Sequence, residues 1–149
     1  MQLVFTKGSG KTDRLDVVRE DGSAERIDCP KQGIIPHDMV HFAVESVLAT
    51  RGFLSSLADG TPATFRPGGE AAEAVERLVE VIQAEAWSGP AEASDLIALY
   101  ELACEARGHA ATPVDVAAIT AIRSRMAELT GKWQATAIGD SVTLDFATH

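Results

Sequence analysis

Apolar and polar residues alternate near both ends of the chain, and an apolar period of 3.6 residues fills the stretch between them. At the N-terminal end, Gln2 to Thr6 is a short apolar run closed by Lys7-Gly8-Ser9-Gly10, and Arg14 to Arg19 and Ala24 to Cys29 flank Asp21-Gly22. These segments predict three strands. A three-residue loop, Glu20-Asp21-Gly22, gives glycine the left-handed position, pairs Leu15 with Ile27 and sets Val17 and Cys29 on the same face. A two-residue loop would put Asp28 opposite Leu15 and mix the faces, so the odd register is preferred. At the C-terminal end, a Gly139-Asp140 turn places Trp133 opposite Phe146, Ala135 opposite Leu144 and Ala137 opposite Val142. Gln134, Thr136, Thr143 and Asp145 then fall on the other side, which predicts a hairpin with one buried and one wet face.

Between these ends the spacing is helical. A first helix is expected from Pro36 to Thr50, stopping at Gly52, and a short one from Phe53 to Ala58. Thr61 to Gly69, with two prolines and two glycines, reads as a loop. Glu70 to Trp87 puts Val75, Leu78, Val79, Ile82 and Ala86 on one stripe and Glu73, Glu76 and Glu80 on another. Ala91 to Arg107 turns Leu96, Ile97, Tyr100, Ala103 and Cys104 inward, with Trp87 and Tyr100 at the rim of the core. Thr112-Pro113 starts the last helix, with Thr112 as its cap, Asp115 in its first turn and Gly131 at its end. The expected fold is α+β: an antiparallel sheet of about five strands, from an N-terminal three-strand meander and a C-terminal hairpin, with four to five helices packed on one face. No internal repeat or long linker divides residues 1–149, which read as one domain.

Composition narrows the class. With 149 residues and 46% hydrophobic content, the chain can bury about two-thirds of its extended surface and build a core without metals or disulfides. Its longest stretch free of Asp, Glu, Lys and Arg is seven residues, far short of the roughly 20 that a membrane-spanning helix needs. No secretory pattern opens the chain, and Cys29 and Cys104 have no metal-type spacing, so a cytoplasmic protein with reduced thiols is expected. The net charge of -9 is concentrated: residues 70–106 carry nine acids and one base. Such a surface repels polyanions and argues against nucleic acid as a partner.

Two motifs invite chemistry. Gly10-Lys11-Thr12 follows an apolar strand, but a phosphate loop needs a glycine five positions earlier, where Phe5 stands, and a helix after it, where a strand is expected. The stronger constellation is His37, Asp38, His41 and Glu45, which fall within a sector of about 100° on a helix. No Lys or Arg stands between Gln32 and Thr50 to neutralise them. Two imidazoles at i and i+4 with carboxylates offer ligands for a divalent transition metal such as zinc, manganese or iron, through His37, His41 and Glu45 or Asp38. The same groups also make an acid and base pair. Lys31 and Gln32 are candidates for the mouth of that site, and Arg66 for an anion contact. Cys29, just before Pro30, reads as a small core residue rather than a nucleophile. Two functions follow. One is a binding or accessory domain that meets a small molecule or a protein partner along this seam. The other is a small metal-dependent enzyme, hydrolytic in type, in which a carboxylate left free of the ion acts as base.

Overall fold

A computed structural model describes residues 1–65 and 68–147 of the chain. The N-terminal strands form as the alternation predicts: β1 (Gln2–Thr6), β2 (Thr12–Val18) and β3 (Ala24–Pro30). Leu15 pairs with Ile27, Arg19 N–H donates to the Ser23 carbonyl across the three-residue loop, and Gly22 takes a φ of 87°. Every second residue of β1 and β2 is buried, namely Leu3, Phe5, Asp13, Leu15 and Val17. The Gly8 to Gly10 stretch is a connection between two strands, with no helix behind it.

The C-terminal hairpin does not form. The last helix continues through Gly131 to Gln134, and β4 (Ser141–Asp145) pairs with β1 instead, giving an antiparallel sheet of four strands in the order β3-β2-β1-β4. Glycine inside a helix costs only about 1 kcal/mol, and Trp133 stands four residues beyond Leu129 on the stripe Ile119, Ile122, Met126 and Leu129. Burying the indole on that stripe outweighs the glycine. Trp133 is therefore core, as expected, but as a helical residue; Lys7 donates to its carbonyl and lies 4.8 Å over its ring. The inward parity of Leu144 survives, now opposite Leu3.

Five helices lie between the third and fourth strands: α1 (His37–Leu48), α2 (Phe53–Ala58), α3 (Glu70–Ser88), α4 (Ala93–Ala106) and α5 (Val116–Gln134). Asp115, not Thr112, caps α5, its carboxylate accepting from Ala118 N–H at 2.8 Å. Tyr100 is buried, its hydroxyl donating to the Thr112 carbonyl, whereas Trp87 is exposed and donates through Nε1 to the Gln32 carbonyl. The buried apolar side chains of strands and helices join in one cluster, with Met39, Val40, Ala43 and Val44 of α1 fully enclosed. α1 packs against both α3 and α5. Among the described residues, no helix is long and apolar enough to cross a membrane.

Candidate metal centre

Pro36, whose ring fixes φ at -53°, precedes the first turn of α1, and Ala49 ends the helix in the left-handed conformation. The turns between carry His37, His41 and Glu45 at steps of four. Enclosure by α3 and α5 buries residues 38–45, so most of the polar seam is pressed against a neighbour, while His37 keeps 41% of its side chain exposed. That neighbour is α3. Glu76 and Gln83 stand seven residues apart, nearly in line along it, and face the two histidines.

Each imidazole is held at both nitrogens. His41 Nδ1 lies 3.0 Å from Glu45 Oε2, and its Nε2 lies 3.1 Å from Glu76 Oε2. His37 Nδ1 lies 3.0 Å from Gln83 Oε1, and its Nε2 lies 3.4 Å from Glu76 Oε1. Gln83 Oε1 also accepts from Gln32 Nε2 at 2.8 Å, so it meets His37 as an acceptor and places a proton on that Nδ1. The rings meet edge to face at 4.8 Å, and Phe53 covers His41 at 5.6 Å. Ligand atoms of His37, His41 and Glu76 all fall within 4.8 Å of one another.

Glu45 is fully buried and lies on the far side of His41 from this convergence. Its carboxylate accepts from Leu54 N–H at 3.1 Å and Ser55 N–H at 3.4 Å, at the start of α2. Glu76 thus stands where the sequence alone suggested Glu45. Asp38 lines a cavity together with His37 and His41, is 9% exposed, and receives no hydrogen bond from any described residue. Lys31 is not brought to the seam: its Nζ pairs with Asp13 at 2.7 Å beside a different cavity. Cys29 is buried in the core, and Arg66 lies outside the described residues.

The electrostatics follow from these contacts. Burial by itself would lower His41, but its hydrogen bonds to Glu45 and Glu76 and their charges outweigh it and push the imidazole up to about 10. His37 is raised, chiefly by its hydrogen bond to Glu76 and against its own desolvation. Burial would raise Glu76, yet the two histidines hold it well below the usual carboxylate range. Asp38 is raised by burial, with the His41 and His37 charges opposing. The centre opens into a cavity of about 380 Å³ walled by Ile27, Phe53, Ala63, Thr64, Arg77 and Arg107.

Glu76 and Gln83 escaped the sequence reading because they border the apolar stripe of α3 and resemble the edge of a wet face. The signal present was their seven-residue spacing, one line along a helix flush with Val79, but nothing in the sequence says that α1 packs there. No protein-family model, curated protein or solved structure matches the chain.

Proposed function

We propose that this chain binds one divalent transition metal ion between α1 and α3, with His37 Nε2, His41 Nε2 and a Glu76 oxygen as its protein ligands. One observation carries the reading: each Nδ1 has an acceptor of its own, Glu45 or Gln83, while both Nε2 atoms turn to the same carboxylate. Ligating histidines are usually oriented in this way. Imidazole and carboxylate donors suit zinc, manganese or iron. Three protein ligands leave the ion a position toward the cavity, as catalytic rather than structural metal sites do.

Asp38, nearly buried and without a hydrogen-bond donor among the described residues, faces that cavity and is suited to take a proton from metal-bound water. The favoured activity is therefore metal-assisted hydrolysis of a small molecule. A second reading is a metal-free binding domain in which doubly protonated His41 ties Glu45 to Glu76, whose carboxylates lie 3.0 and 3.1 Å from its two ring nitrogens. The unbridged Cys29 and Cys104 fit a cytoplasmic setting in either case.

Metal analysis of protein purified without a histidine tag, joined to thermal melts, separates the two. The metal reading expects one ion per chain. At 100 times Kd, zinc or manganese should stabilise the fold by about 2.7 kcal/mol, a rise of several degrees in Tm. His41→Ala and Glu76→Gln should each abolish that rise. Wild-type melts unmoved by zinc, manganese and ferrous iron would leave the metal-free domain.

A further inference from the structure

The buried Glu45 carboxylate is the most completely specified group of the seam, although it lies outside the converging ligand atoms. Three donors reach it: Leu54 N–H, Ser55 N–H and His41 Nδ1. Because backbone amides can only donate, Glu45 meets them as an acceptor, and its remaining lone pairs face the imidazole. His41 then commits its Nδ1–H to Glu45, and Nε2, the nitrogen that faces Glu76, is left to exchange its own proton for an ion. Gly52 leaves the space that this requires. A Cβ there would come within 2.7 Å of the Glu45 carboxylate and 2.9 Å of Val75 Cγ1, the residue preceding Glu76 on α3. Gly52 has φ of -132°, so its role is room rather than an unusual backbone conformation.

We propose that Glu45 is a positioning residue for the metal centre: clamped by the first amides of α2 and given its room by Gly52, it fixes the tautomer and orientation of His41 and thereby sets the affinity of the site for its ion. This rests on the metal reading above. The chemistry is that of a carboxylate behind a ligating histidine, which holds the ring and makes the distal nitrogen a better donor; removal of such a partner commonly weakens binding by 10- to 100-fold. Glutamine at position 45 is nearly isosteric but has one acceptor oxygen for three donors, and its own NH₂ opposes either the α2 amides or the imidazole.

The test uses the full chain and cobalt(II), with affinity read by competition against a chromophoric chelator and geometry read from the visible d–d bands. Wild type should bind one ion. Glu45→Gln and Gly52→Ala, each checked for a cooperative melt, should bind about 10- to 100-fold more weakly, with altered bands. Binding by either folded variant within twofold of wild type, with unchanged bands, would overturn the positioning role while leaving the metal site standing. A wild type that binds no cobalt or zinc removes the metal reading itself. Should neither variant fold, nitrogen-15 shifts of His41 in zinc-loaded wild type decide the matter: Nδ1 protonated and Nε2 ligated is expected, and the reverse tautomer overturns the proposal.

Discussion

His41 is where burial and charge compete most directly. In protein stripped by a chelator, its folded-state value of about 10 lies above the ordinary 6.5, so its stabilising contribution is complete below about 6.5 and disappears as the pH rises toward 10. His37, also raised, acts in the same sense. Glu76 is held below the ordinary 4.5, so its contribution is present above that value and is lost as the pH falls. Urea melts of the stripped protein should therefore show this cluster stabilising most between about pH 4.5 and 6.5, with a decline toward pH 10 that His41→Asn flattens. A wild-type decline equal to that of the variant would show that the triad holds no extra proton. The cysteines give a second prediction at this scale. Burial, with Asp38, Asp13 and Asp28 nearby, pushes the Cys29 thiol up to about 12, and burial raises Cys104 as well. Since the thiolate is the reactive form, intact-mass measurement at pH 8 should find both thiols unalkylated in folded protein and both modified in guanidinium.

At the scale of the element, the two departures from the expected structure both concern the ends of α5. Its start shows a local competition between caps. Thr112 and Asp115 are both acceptable N-cap residues, and Pro113 suits a first helical position, but only the Asp115 side chain reaches an orphan amide, Ala118 N–H. In denaturant melts, Asp115→Ala should cost about 1 kcal/mol, whereas a change of the Thr112 side chain to Ala should cost less than about half of that, because its contribution to Tyr100 is a backbone carbonyl. The reverse order would move the cap back to Thr112. The end of α5 was ambiguous for another reason. Residues 133, 135 and 137 alternate with polar neighbours and satisfy a strand template, while Trp133 also extends a helical stripe. Two periodicities of one short segment cannot be separated without knowing which partner strand is available. β1 supplied that partner to β4, and of the segment before it Trp133 and Gln134 joined the helix while residues 135–140 became its connection to β4.

Across the whole molecule, the sheet closes through residues from opposite ends of the chain. Phe146 N–H donates to the Met1 carbonyl, and β4 lies along the free edge of β1, so the core cannot be complete before the last residues are in place. β1 and β2 are the interior strands, and α1 is the most enclosed helix. Native-state hydrogen exchange should therefore give amides of β1, β2 and α1 a common, highest opening free energy, with the short α2 exchanging at a lower one. Early exchange across α1 would mean that its packing on α3 and α5 opens separately from the sheet.

Local signals were enough for much of this. The Gly22 loop and the face parity of Leu15, Val17 and Ile27 set the β2–β3 register, glycines and prolines bounded the helices other than α5, and a four-residue step put His37, His41 and Glu45 in one seam. Each of these depends on residues within a few turns or one hairpin of each other. The sequence by itself thus determined most of the elements and their inward faces, though not the helical end of α5, and half of the candidate centre. Tertiary packing decided what those faces meet: that β4 adds to β1, that α3 brings Glu76 and Gln83 to the two imidazoles, and that Glu45 is turned back to the amides of α2. Such contacts join residues 35 or more positions apart, or depend on a loop's path, and side-chain periodicity carries no record of which buried face packs on which. The difference is physical: an element's pattern reports that a face must leave water, whereas the choice of partner follows from shape and hydrogen-bond satisfaction summed over the assembled core.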